Sequence, residues 1–315
     1  MHELERKNMN VLVGHTGFVG SNLYEYGDFD LGVNSKNVEA AFGTAPDLLV
    51  YAGLRAEKYL ANEVPEKDRK LILDAEENIK RIAPQKLVLI STIDVFKDAS
   101  GADEDTFIAR EGLHPYGLNR YDLECWVREN YEDALIIRLP GLFGKHIKKN
   151  FIYDYIHVIP FMLKEEKMEM LCGQRPELKN YYERLNNGFW CCRKMNAGEE
   201  KQLKLLFQEI GFTALAFTDS RSRYQFYPLA RLWKDMGLAL QYGVRLLHTA
   251  TEPVSAGEVY AALTGRPFEN ELAGAPADYD YRTKYGKLFN GNGGYIMNRQ
   301  EVLEEIKEFV EKKYE

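Results

Sequence analysis

Tyr116 and Arg120 stand four residues apart in PYGLNRYDLE, a segment that reads as the opening of a helix. Residues four apart share a helix face, so the phenol and the guanidinium can address one ligand. A free tyrosine hydroxyl titrates near pH ~10. A neighbouring cation favours the phenolate, which makes the group a usable general acid or base. Upstream, KLVLIST (Lys86 to Thr92) reads as an apolar strand, and Thr92 at its end offers a hydroxyl to hold a substrate oxygen. Arg120 has a competing partner, because Glu124 one turn on can pair with it and turn it from the ligand.

A second chemical feature lies in VLVGHTGFVGSN, where Gly14, Gly17 and Gly20 follow a β-branched run. A strand feeding a helix onto a phosphate needs a tight turn, close backbone approach and close helix packing, and glycine serves each. The helix N-terminus adds free N–H groups and positive potential. The same glycines can equally do no more than close a strand–helix unit. The next strand, DLGVN, ends in Asn34, Ser35 and Lys36 without the acid that commonly accepts from a ribose 2′-hydroxyl. Lys36 can meet a 2′-phosphate, which leans the reading to NADP over NAD. Alternatively Ser35 or Asn37 caps the next helix and Lys36 is solvated.

The elements needed to position these groups are legible. NVLVG, DLGVN, DLLVYAG, KLVLIST and ALIIRL read as short apolar strands. Helical segments alternate with them. In EKDRKLILDAEENIKRIA, Ile72, Ala75, Ile79 and Ile82 recur at helical spacing, and Leu118, Leu123, Trp126 and Val127 mark the apolar side of the tyrosine helix. Buried strands alternating with amphipathic helices predict an α/β fold with a doubly wound parallel sheet. After Gly144 the rhythm breaks. Residues 145 to 200 are aromatic and charged, followed by helices at EEKQLKLLFQEIG and PLARLWKDMGLALQYG and strands at ALAFTD and VRLLHTA. SAGEVYAALTG reads as a helix capped by Ser255. RQEVLEEIKEFVEKKYE closes the chain with Val302, Ile306, Phe309 and Val310 on one face. The expected division is a Rossmann-type domain over 1–145 and a smaller mixed substrate lobe over 146–315, with some elements returning to the main sheet.

Taken in order, these pieces resemble the extended short-chain dehydrogenase/reductase superfamily, in its NAD-dependent epimerase/dehydratase branch. GHTGFVGSNL is similar to the GxxGxxG cofactor loop, LLVYAGLRA to the fourth strand, STIDVF to the segment holding the catalytic Ser or Thr, PYGLNRYDLE to PYGxSKxxxE, and IIRLPGLFG to the sixth strand and its end. The resemblance covers about residues 9 to 145. It implies a bound dinucleotide, NADP or NAD, held by Gly14, Thr16, Gly17, Phe18, Val19, Gly20, Asn34, Ser35, Lys36, Ala52, Gly53, Leu54, Tyr116, Arg120 and Leu139. It implies hydride transfer at a hydroxyl-bearing carbon, with Tyr116 as acid/base, Thr92 as its hydrogen-bond partner and Arg120 at the position of the family's lysine. Substrates implied are nucleotide-linked sugars, with Arg55, Thr92 and Arg223 as candidate contacts; Arg221 can also grip a diphosphate. A homodimer through the tyrosine helix is implied as well. The chain departs from the pattern at three places. Arginine replaces lysine at Arg120, which is not a conservative exchange. Ile72 stands where an asparagine relay belongs, and Gly141 where many sugar-nucleotide enzymes carry asparagine. These departures keep a second reading open, a non-catalytic dinucleotide-binding sensor or scaffold on the same fold.

Bulk properties narrow the field further. The 315 residues carry a formal net charge of -7, which argues against a nucleic-acid surface. The four cysteines have no CxxC or zinc spacing, so the expectation is no metal and reduced thiols in the cytoplasm. The charged N-terminus is unlike a signal peptide, and FIYDYIHVIPFML is too short and polar to span a bilayer, so no membrane partner is expected.

Overall fold

The structure, a computed structural model, describes residues 8–314. The chain forms two compact units. One comprises residues up to 147 with 223–254 and 278–309; the other comprises 148–222, 255–277 and the residues from 310 on.

The first unit is built on β1 (Asn10–Val13), α1 (Phe18–Tyr26), β2 (Leu31–Val33), β3 (Leu48–Tyr51), α2 (Lys58–Glu63), α3 (Pro65–Ile82), β4 (Lys86–Thr92), α4 (Pro115–Asn130), β5 (Leu135–Leu139) and β6 (Gly141–Phe143). The apolar strands are buried along almost their whole length, as strands covered on both faces must be. In α3, Pro65 occupies the first turn with Glu66 and Asp68, and Lys80 and Arg81 close the last, so both ends suit the helix dipole. Its inward stripe is Ile72, Ala75, Ile79 and Ile82, all buried.

The second unit contains α5 (Phe151–His157), β7 (Met162–Lys164), α6 (Glu165–Gln174), β8 (Tyr182–Arg184), β9 (Phe189–Cys192) and α7 (Ala197–Glu209). Its three strands pair antiparallel in the order β7-β9-β8 over a core that includes Tyr181, Tyr182, Leu203 and Phe207. The strand expected at ALAFTD is instead a 3-10 turn over Ala214–Phe217, because the Thr213 hydroxyl accepts from Leu215 N and starts a turn there.

The chain then returns to the first unit as β10 (Arg223–Tyr224), β11 (Phe226–Pro228), α8 (Leu232–Gln241) and β12 (Leu246–His248). Helices α9 (Ala256–Thr264) and α10 (Arg299–Tyr314) follow, and α9 carries the expected Ser255 cap as a full capping box with Glu258.

The central sheet has six strands in the order β12-β5-β4-β3-β1-β2, and every neighbouring pair is parallel. This is the expected doubly wound α/β architecture. β1 pairs with β2 on one side and β3 on the other, so the order reverses at β1. In such sheets a crevice opens at that reversal, beyond the carboxyl ends of the strands. The glycine turn follows β1, and Ala52 and Gly53 follow β3. Among the described residues, no helix is long and apolar enough to cross a membrane.

Candidate active site

The glycine turn has the geometry a phosphate cradle requires. Gly14 adopts φ +95, a left-handed conformation, and a Cβ there would lie 2.4 Å from the Ala52 carbonyl oxygen. A Cβ on Gly20 would lie 2.0 Å from the Gly14 carbonyl oxygen. These two glycines therefore let the turn press onto β3 and let α1 press onto the turn. Gly17 caps α1 without a side-chain hydrogen bond. Thr16 is exposed and Phe18 and Val19 are half-buried in the same turn and first helical turn. The first amides of a helix have no earlier turn to donate to, so this end suits an anion. At the tip of β2, the Asn34 side chain accepts from Lys36 N at 2.9 Å, and the Asn37 side chain accepts from Asn34 N at 2.8 Å. Ser35 and Lys36 are exposed on this turn. The residues present thus fit a dinucleotide: a crowded glycine turn, a helix N-terminus, and an acid-free, lysine-bearing tip beside it.

The catalytic candidates converge at the carboxyl edge of β4. Thr92 ends that strand, paired with Leu139 at the end of β5, and its Oγ1 also accepts from Asp94 N at 3.2 Å. Tyr116 lies in the first turn of α4, where its backbone N–H donates to Asn62 Oδ1 of α2 at 3.0 Å. Its side chain is buried, and the Thr92 hydroxyl is near enough to favour the phenolate form. Arg120 lies over the Tyr116 ring, its Cζ 4.1 Å from the ring centroid. Burial pushes the Tyr116 phenol above its ordinary value. The Arg120 charge pulls it back, Asp94 and Asp68 push it up again, and Thr92 lowers it, leaving a net upward shift. The phenol is therefore held protonated through neutral pH.

Arg120 does not pair with Glu124. Its Nη1 meets the Asp68 carboxylate and its Nη2 donates to the Arg55 carbonyl oxygen at 2.7 Å. Glu124 instead faces the sheet, accepting from Ser91 Oγ at 2.6 Å, from Arg138 Nη2 at 2.6 Å and from Arg128 Nη2 at 2.8 Å. Burial works to raise the Glu124 carboxyl, but Arg138, Arg128 and Ser91 together bring it below its ordinary value. Arg138 also reaches His248 Nε2 at 3.1 Å, and His248 Nδ1 lies 2.9 Å from the Arg282 carbonyl oxygen. Arg138 has only protons to give, so Nε2 accepts and Nδ1 carries the hydrogen donated to Arg282. This network anchors the tyrosine helix α4 to β4, β5 and β12.

Other expected contacts fall elsewhere. The Arg55 side chain is exposed, and the site uses its carbonyl oxygen rather than its guanidinium. Leu54 packs against the hydrophobic core of the sheet, and Leu139 is buried at the end of β5. Arg223 pairs with Asp278 at 3.2 Å and Asp280 at 3.9 Å, and Arg221 pairs with Asp219 and Glu271, so neither guanidinium stands without a carboxylate partner. Ile72 is a core residue. Glycine at Gly141 answers a packing demand, since a Cβ would lie 2.8 Å from the Gln225 carbonyl oxygen of the segment entering β11. Sequence reading missed Asp68, Asn62, Lys58 and Asp94. Lys58 Nζ lies 2.6 Å from Asp94 Oδ1, two residues beyond Thr92. Asp68 had one signal: it stands four residues before Ile72, on the inward stripe of α3, where a carboxylate needs a cation.

Comparison with known proteins agrees with this architecture. No family model matches the chain, and no curated protein matches it by sequence. Solved structures match along nearly its whole length. The dTDP-4-dehydrorhamnose reductase of Yersinia enterocolitica superposes with a TM-score of 0.62 at 12% identity, covering 97% of this chain and 99% of that one. The dTDP-4-dehydrorhamnose reductase of Bacillus anthracis, solved with NADP, gives 0.62 at 15% identity, covering 97% and 98%. The UDP-glucose 4-epimerase of Thermotoga maritima, solved with UDP-glucose, gives 0.59 at 14% identity, covering 98% and 100%. The fold is therefore the Rossmann-type α/β fold of these reductases and epimerases. These neighbours belong to the extended short-chain dehydrogenase/reductase superfamily that the ordered motifs resemble.

Proposed function

We propose that this chain is an NADP-preferring, NAD(P)-dependent reductase, epimerase or dehydratase acting at a hydroxyl-bearing carbon of a small molecule, a nucleotide-linked sugar by preference. The observation that carries the reading is the grouping of half-buried Thr92 with buried Tyr116 and Arg120 at the carboxyl edge of β4, in the same unit as the glycine turn at the reversal of strand order. The neighbours are sugar-nucleotide reductases and epimerases, which supports the substrate class.

A bound nicotinamide would supply or accept hydride. The chain's own residues do the rest. The α1 N-terminus and the glycine turn bind the pyrophosphate, and Lys36 favours a 2′-phosphate. Thr92 orients the substrate oxygen. Tyr116, protonated at neutral pH, gives its proton to that oxygen as a carbonyl becomes a carbinol, and takes one back in the reverse direction. Reduction should hold its rate through neutral pH and fall only where the phenol ionises, above the ordinary tyrosine range.

The test is turnover of a nucleotide-sugar panel with NADPH and NADH, with Tyr116→Phe alongside. The expected loss of kcat in the variant is about 100-fold or more, with NADPH affinity kept. Equal turnover by the two proteins refutes Tyr116 as the acid/base. Tight NADPH binding by both without turnover favours the sensor or scaffold reading, which the engagement of Arg120 by Asp68 and the Arg55 carbonyl also suits. Fluorescence titration with Lys36→Ala decides cofactor choice: NADPH should bind more weakly to the variant, and tighter NADH binding unchanged by it would refute the NADP preference.

A further inference from the structure

A buried carboxylate on α3 meets the cation that lies over the Tyr116 ring. Asp68 is 5% exposed and Arg120 2%, so neither charge is hydrated. Asp68 Oδ2 also accepts from Asn119 Nδ2 at 2.8 Å, which fixes the carboxylate against α4 at two adjacent residues. On its other side Arg120 is fixed by the Arg55 carbonyl. A planar guanidinium held at two of its nitrogens has little freedom to turn, and it is held with its Cζ 4.1 Å from the centroid of the phenol ring.

We propose that Asp68 is a positioning residue that fixes Arg120 over the Tyr116 ring, so that the cation beside the phenol arrives already paired. The proposal deepens the acid/base reading of Tyr116 and rests on it. A buried charge with a buried partner cannot swing out to a ligand without leaving the partner alone, a costly state. Arg120 is thus committed to the phenol and to the segment after β3. The charged groups facing Tyr116 are Arg120 from its own helix, Asp68 from α3 and Asp94 from beyond β4, the last paired with Lys58 of α2. Asp68 offsets part of the pull that Arg120 exerts, adding to the upward push of burial on the phenol.

The test reads the tyrosinate absorbance at pH about 10 that disappears in Tyr116→Phe, with no dinucleotide or substrate present. Asp68→Asn retains the size and the hydrogen bond to Asn119 but removes the charge. Its amide oxygen can still accept from Arg120, so the guanidinium keeps its place over the ring without the opposing charge, and the Tyr116 tyrosinate fraction should rise about twofold or more over the parent. An unchanged fraction, even with a lowered melting temperature, means that Asp68 is only a structural tie and overturns the proposal. A measurement on the unaltered chain covers the case in which Asp68→Asn does not fold. The Arg120 guanidinium protons, assigned by their absence in Arg120→Lys, should give resolved, slowly exchanging NMR signals. Averaged, fast-exchanging signals overturn the proposal. Neither measurement involves hydride transfer, so a failed turnover assay leaves the outcome of this one readable.

Discussion

Replacing Arg138 by methionine isolates the forces that seat the tyrosine helix. Arg138 is 2% exposed and Glu124 0%, and the guanidinium meets the carboxylate through Nε at 3.0 Å and Nη2 at 2.6 Å. Methionine fills part of the volume and removes the charge, leaving Glu124 with Ser91 and the half-exposed Arg128. Breaking a buried pair by removing one partner costs about 3–5 kcal/mol. Against a whole stability of about 5–15 kcal/mol, that is a third or more. Urea unfolding at neutral pH, followed by circular dichroism, reads the loss as a lower midpoint at constant slope. The pH dependence has a definite sign. The parent holds the Glu124 carboxyl below its ordinary value, so its stabilising share is present above the unfolded value and is lost as pH falls through the folded one. In Arg138→Met the carboxyl takes up a proton more readily, so the gap between variant and parent narrows toward pH ~4. A loss under about 1 kcal/mol, or one equal at both pH values, would refute the claim that this pair seats α4.

Two further outcomes follow from the geometry. Gly20→Ala places a methyl 2.0 Å from the Gly14 carbonyl oxygen, so the glycine turn must open; NADPH affinity by fluorescence titration should fall about tenfold or more, whereas Gly17→Ala, at 3.3 Å, should cost much less. Asp154 in α5 is pushed up to about 6 by burial, so its destabilising share is absent below the unfolded value, grows as pH rises from there to the folded one and is full above it; Asp154→Asn should stabilise the protein by about 1–2 kcal/mol at pH ~8, read as a higher melting temperature, and by much less near pH ~4.

The sheet was readable because its strands are continuous apolar runs closed by polar or glycine residues. KLVLIST is β4 residue for residue, and the Gly14–Gly17–Gly20 spacing marks the turn after β1. Tyr116 and Thr92 could be placed because each sits at an element end. What failed depends on partners distant in sequence. Helical spacing offered Glu124 to Arg120, but α4 turns Glu124 toward the sheet and Arg120 toward α3, where Asp68 lies 52 residues earlier. Arg223 looked available until Asp278 and Asp280 folded against it. The apolar run at ALAFTD had strand composition but a cap at Thr213, and the local hydrogen bond decided it.

The network behind α4 has a temporal side. Glu104 accepts from His248 N, 144 residues later, and from the Thr283 hydroxyl, 179 residues later, while Arg138 waits 110 residues for His248. A chain emerging from the ribosome at about 5–20 residues per second completes β5 roughly 5–20 seconds before β12 can dock beside it. During that interval the strand edge at β5 and the charges of Glu104 and Arg138 lack their late partners. The nascent Rossmann half therefore carries an unpaired β5 edge until residues 246–248 pair with it and take over the edge position.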